Sequence, residues 1–212
     1  IYPSDHGAND EGIFLSEVYR GATATTKDFI LRPKHGRAFF SEEGKPFATG
    51  VSNSIMLDGD QGGKVTMIVP AGNNLVLATA RDTYAFTFGA EPLDTGGVAA
   101  AIRRGIGCIG NQSFAECNGF AYWLSDQGVA RSNGQTVDIV SHSLRQIFVD
   151  REDPDYIVKR RSDGTAIDAY GAHHPARNQY LLAVRTRAGG QGANLVLAHN
   201  YLLDTWDILR VA

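Results

Sequence analysis

Apolar residues recur at alternate positions in short runs, and each run is bounded by turns rich in Gly, Asn and Asp. That is the pattern of β-strands packed on one face. Val65 to Val69 and Leu75 to Ala80 are predicted strands around Pro70-Ala71-Gly72-Asn73-Asn74. Tyr84-Ala85-Phe86-Thr87-Phe88 places three aromatics on one face and is the cleanest half-buried strand of the chain. Further strands are predicted at Gly12 to Tyr19, Arg37 to Ser41, Ser113 to Cys117, Gly119 to Leu124 and Gly128 to Arg131. A last set covers Ala166 to Tyr170, Gln179 to Thr186 and Asn194 to Asn200. Helix is minor. Leu144, Ile147 and Phe148 give helical spacing within His142 to Phe148, and Val98 to Arg103 is a second candidate inside the Gly- and Ala-rich crossing Thr95 to Ile109.

One phrase repeats: a tight polar turn, an aromatic-rich strand, an acidic-Gly turn and another strand. It runs from Gly36 to Gly44 and again from Asn118 to Gly128, with weaker echoes at Asn73-Asn74 and Arg177-Asn178. The starts lie roughly 40 to 60 residues apart, the scale of a propeller blade. The expected fold is all-β: a β-propeller, or a partial propeller, of antiparallel meander blades with little helix. Residues 1–11 read as an N-terminal loop or arm, and residues 12–212 as the propeller-like domain. The chain begins at Ile1, so the numbering is expected to start inside a longer product or after processing. A fragment would account for only three or four blade-like units.

Composition narrows the function classes. The 212 residues are 43% hydrophobic with 24 glycines, which describes a turn-rich globular chain. Twenty basic residues against 23 acidic ones give a net charge of −3, which argues against a dedicated nucleic-acid binder. Arg103-Arg104 and Lys159-Arg160-Arg161 read as solvated turns or salt-bridge partners. No apolar run of about 18 residues occurs, so no membrane segment is expected. Cys108 and Cys117 fall on apparent neighbouring strands, where a disulfide is geometrically allowed. Without a cysteine framework or signal peptide, both are expected to be buried small hydrophobes.

Chemistry-bearing patterns are weak. His6, His35, His142, His173, His174 and His199 include no pair at a metal-ligand spacing backed by a carboxylate or Cys. His173-His174 before Pro175 reads as a turn. Asp58-Gly59-Asp60-Gln61-Gly62-Gly63 resembles a calcium loop, but its twelfth position is Val69 in place of Glu. Ser125-Asp126-Gln127-Gly128 and Ser162-Asp163-Gly164-Thr165 resemble sialidase-type Asp boxes without the closing aromatic. Trp206-Asp207 occurs once, without the Gly-His partner of a WD repeat. No nucleophile elbow, Walker loop or dinucleotide fingerprint is present; Gly105-Ile106-Gly107 stops short of the last. Trp123, Tyr84, Phe86 and Phe88 read as blade core in preference to a ligand platform. No catalytic, cofactor-binding or metal residue is nominated, and no cofactor is expected.

Residues 105 to 148 carry a family resemblance. Gly105-Ile106-Gly107-Cys108-Ile109-Gly110-Asn111-Gln112-Ser113 precedes Asn118-Gly119-Phe120-Ala121-Tyr122-Trp123-Leu124-Ser125-Asp126-Gln127-Gly128-Val129, and Val140-Ser141-His142-Ser143-Leu144-Arg145-Gln146-Ile147-Phe148 follows. This run resembles the β-propeller tubular or nozzle proteins of short-tailed bacteriophage tails. Tyr170 to Pro175, Arg177 to Ala183, Asn194 to Asn200 and Trp206 are similar to the blade that follows in that family. In all, the resemblance covers residues 64 to 212. It implies a non-catalytic virion protein made in the host cytoplasm, six copies in a ring against neighbouring tail proteins, and transient, non-specific passage of genome DNA. The runner-up is a carbohydrate-binding or glycoside-cleaving propeller used in host attachment, and a non-viral propeller interaction module is a third reading.

Overall fold

The computed structural model describes residues 31–34, 37–40, 54–57, 65–87, 97–110, 112–158, 169–189 and 192–210. Within them the strands are β1 Leu31–Lys34, β2 Arg37–Phe40, β3 Ser54–Leu57, β4 Val65–Ala71, β5 Asn74–Thr79, β6 Thr83–Thr87 and β7 Gly97–Arg103. Then come β8 Ala115–Cys117, β9 Phe120–Ser125, β10 Gly128–Ser132 and β11 Val137–Ile139, and finally β12 Ala169–His174, β13 Gln179–Val184, β14 Leu195–Asn200 and β15 Thr205–Arg210. Helix is confined to two 3₁₀ turns and one short α-helix, α1 Arg145–Val149, among the described residues. The chain is all-β.

Three antiparallel meanders follow one another: β4–β7, β8–β11 and β12–β15. Strands β1–β3 extend the first by a parallel pairing of β3 with β7, making a seven-stranded sheet that curls until β1 lies against β4. The first strands of successive meanders also meet, β4 against β8 and β8 against β12.

Three of the four starts of the repeated phrase fall at the first hairpin of a meander, and the start at Gly36 lies outside the described residues. Gly72-Asn73 joins β4 to β5, Asn118-Gly119 joins β8 to β9, and Pro175 to Asn178 joins β12 to β13. Asn118 and Gly119 sit at φ 53° and 82°, as a two-residue hairpin matching the strand twist requires. Asn178 holds the left-handed φ of 53° that ends the Pro175–Arg177 turn. The Asn133-Gly134 signal closes β10 onto β11 through residues 133–136, with Gly134 at φ 86°.

Burial explains the composition of each strand. In β5, Leu75 and Leu77 face the core inside the curled sheet, while Val76 and Ala78 face the core shared with the second meander. In β9, Ala121 and Trp123 face that same shared core, and Tyr122 and Leu124 face the one shared with the third. The first two meanders are covered on both faces. In β13 only Tyr180, Leu182 and Val184 are buried, alternating with half-buried Gln179, Leu181 and Ala183. The third meander is covered on one face.

Several expectations are corrected. Val98 to Arg103 is not helical; the Ala-rich crossing holds strand β7, whose pairing to β6 and β3 overrides its composition. The Tyr84 strand is not half-buried: Tyr84 and Phe86 face the core inside the curled sheet, and Thr83 and Ala85 are also covered, on the face shared with the second meander, where Thr83 bonds Ile106 O. His173 and His174 end strand β12, and the turn begins at Pro175. Residues 205–210 form strand β15, which the pattern did not indicate. Cys108 lies outside the strands, and the two thiols belong to cores on opposite faces of the second meander. The helical turn at His142 to Phe148 is present as a 3₁₀ turn running into α1, which buries Ile147 and Phe148. The readings at Gly12 to Tyr19, Ser41 to Gly44, Asp58 to Gly63, Phe88, Lys159 to Arg161 and Ser162 to Thr165 lie outside the described residues.

Candidate functional site at the sheet seams

The side chains of the 105–148 motif divide between two seams: Ile106, Cys108, Ala121 and Trp123 face the first meander, and Tyr122, Leu124, Val129, Ile147 and Phe148 face the third. Residues 104–110 and 112–114 run as a strap along the seam between the first two meanders, and a buried strap must have its backbone groups satisfied. On one side Cys108 N donates to Thr79 O at 2.8 Å, Thr66 Oγ1 donates to Cys108 O at 2.7 Å and Thr83 Oγ1 donates to Ile106 O at 2.6 Å. On the other, Ile109 N donates to Leu124 O at 3.0 Å and Trp123 Nε1 donates to Gly107 O at 3.1 Å. A Cβ on Gly107 would collide with the Thr79 to Arg81 backbone. That close approach is why Gly stands there.

The serines act as backbone surrogates. Ser113 Oγ donates to Gly110 O at 2.7 Å and accepts from Leu124 N at 3.0 Å. Ser141 Oγ accepts from Val129 N at 2.9 Å. Ser125 Oγ donates to Gly128 O at 2.7 Å, so this serine closes the turn that resembles an Asp box. Cys108 donates to Gly110 O, and burial pushes its thiol up to about 12; burial likewise pushes Cys117 up to about 12. Both are free and buried, as small hydrophobes would be.

The second seam, between β8–β11 and β12–β15, holds a polar aromatic cluster. Tyr122 and Tyr180 stack at 5.1 Å, Tyr122 lies 5.8 Å from the His199 ring, and His199 stacks on Trp206 at 4.6 Å. Trp206 Nε1 donates to Val140 O at 3.0 Å, and the Tyr180 hydroxyl donates to Ser113 O. The His199 side chain is fully buried, with Nε2 3.0 Å from Asp204 Oδ1. Arg131, the cross-strand partner of Tyr122, lies over the Phe120 ring at 5.4 Å. Two polar atoms here are buried without a hydrogen-bond partner among the described residues, Arg131 Nε and His199 Nδ1. Burial holds the His199 imidazolium below the ordinary histidine range, with Arg131 adding to it and Asp204 opposing.

The third meander leaves an open outer face. Tyr170, Ala183, Val196 and Leu209 align across its four strands, with Tyr170 49% and Leu209 54% exposed. Leu202 and Leu203 stand out in the β14–β15 turn, whose backbone is pinned by Asn200 Oδ1 accepting from both of their N–H groups.

Of the residues read from sequence, Trp123, Tyr84 and Phe86 are core, and Arg104 pairs with Asp82 at 3.2 Å as a salt-bridge partner. His173 meets the Tyr201 hydroxyl at 3.1 Å, His142 is exposed at the 3₁₀ turn, and His6 and His35 lie outside the described residues. Among the described residues no three His, Cys, Asp or Glu gather as a metal set. The His199 cluster escaped the sequence reading because its members come from β9, β10, β13, β14 and β15. The nearest signal was the pairing of His199 with Asp204 across one polar hairpin. No protein-family model and no curated protein matches the chain.

Proposed function

We propose that this chain is a non-catalytic structural subunit of a phage-tail nozzle, built as a propeller or part of one, with the three meanders as blades. The observation that carries the reading is the use made of the 105–148 motif: Gly107, Cys108, Ser113, Trp123, Ser125, Ser141 and Phe148 hold strap, turn and sheet together. A motif spent on inter-sheet contacts signals an architecture more than a chemistry. Meanders covering one another face to face, with first strands β4, β8 and β12 adjacent, support radial stacking around an axis.

In this reading copies of the chain assemble as a ring of the virion against neighbouring tail proteins, and the open row from Tyr170 to Leu209 belongs to a subunit contact. A net charge of −3 suits passage of DNA, since a conduit must not neutralise phosphates tightly. Negative-stain electron microscopy of the purified chain tests the proposal. Rings with a central hole support it. Dispersed single particles that bind a glycan array would transfer the assignment to a carbohydrate-binding propeller.

A further inference from the structure

Among the described residues, strand β15 is the edge of its sheet, paired with β14 alone. Its residues are exposed except Trp206, which is half-buried. The far end is tied by an Arg210–Asp155 ion pair whose arginine is 68% exposed, a kind of contact that contributes little. The strand is therefore anchored in the seam by Trp206, which lies between Val140 O and the His199 ring. We infer that His199 is a proton-operated latch for β15: the neutral ring holds the Trp206 end in the seam, and protonation at Nδ1 releases it.

The argument is one of donors and acceptors. Asp204 accepts at Nε2, so the neutral ring keeps its proton there and presents a lone pair at Nδ1. A proton added at Nδ1 becomes a buried N–H donor without an acceptor, in a site where an unmet polar group carries its full desolvation penalty. The groups packed around the ring offer little compensation. Tyr122 from β9 and Tyr180 from β13 are kept neutral by burial, as is Cys117 from β8. Arg131 from β10 is a second cation, and the one carboxylate, Asp204, is already engaged at Nε2. The folded-state pKa lies below the free value, so the released ring takes the proton more readily. The latch is at full strength above the ordinary histidine range, weakens as pH falls through about 6.5, and levels off below the folded-state value.

Hydrogen exchange followed by mass spectrometry, corrected for the intrinsic pH dependence, tests this on the intact chain. Residues 204–210 are expected to exchange on the order of tenfold faster at about pH 5 than at about pH 7.5, while β9 stays protected. His199→Gln should flatten that step, and His173→Gln, which removes the imidazole beside Tyr201, should leave it. A step that survives His199→Gln, vanishes in His173→Gln, or is missing from the parent chain overturns the latch. Should His199→Gln fail to fold, an NMR titration of the parent ring decides: titration in step with β15 opening supports the latch, and any other course refutes it.

Discussion

The Trp123 indole donates to the Gly107 carbonyl at 3.1 Å, joining the middle of β9 to the strap that crosses from the first meander to the second. Trp123 is fully buried among Met67, Val69, Val76, Ala78 and Cys108, so one side chain supplies both the largest apolar surface of the seam and the partner of a buried carbonyl. Such a residue couples the two sheets through dispersion, burial and a hydrogen bond at once.

Removing that coupling should act in two steps. Trp123→Phe keeps a ring but leaves Gly107 O unpaired, at about 1–3 kcal/mol. Trp123→Ala adds a cavity and should cost about 3–5 kcal/mol. Urea unfolding checks both; an alanine variant losing less than about 1 kcal/mol would contradict the seam as described.

Two glycines separate steric from conformational cost. A Cβ on Gly119, at φ 82°, meets nothing within 4 Å, so Gly119→Ala should cost about 1–2 kcal/mol of backbone strain. Gly107→Ala drives its methyl into the Thr79 to Arg81 backbone and should be far worse, visible as loss of cooperative unfolding. Equal effects would show that the strap can move aside.

Ser141→Ala removes the acceptor of Val129 N in a buried site, at about 1–3 kcal/mol, whereas exposed Ser143→Ala should fall within about 0.5 kcal/mol of the parent. Thermal or urea unfolding of the pair gives the comparison. Parity between them would remove Ser141 from the seam.

Both thiols are buried and held mostly protonated by that burial. A thiol reagent at about pH 8 should therefore label neither Cys108 nor Cys117 in the folded chain, and both on unfolding. Rapid labelling of the native protein would place at least one of them at an open surface.

The parts legible in the sequence are those with local causes. Asn118-Gly119 and Asn178 specify positive-φ turns, and these turns phase the meanders correctly. Leu144, Ile147 and Phe148 mark the helical turn at residues 142–149 for the same reason. Strand β7 was illegible because Val98-Ala99-Ala100-Ala101-Ile102 favours helix locally and becomes a strand only between β6 and β3. The two-sided burial of β6 was hidden because alternation shows a strand's faces, not how many are covered. The Trp206 to Val140 contact spans 66 residues, and no spacing rule reaches that far. The propeller reading has the same standing: consecutive meanders are a local property, and closure around an axis is not.

The most direct test of the account is the mass of the purified chain in solution, by light scattering coupled to size exclusion. A structural ring predicts a mass several times the 22.9 kDa of one chain, falling toward a single chain when Tyr170 and Leu209 are both replaced by Glu. A single-chain mass for the parent at every concentration, or a larger mass indifferent to those substitutions, would contradict assembly through the open face of the third meander.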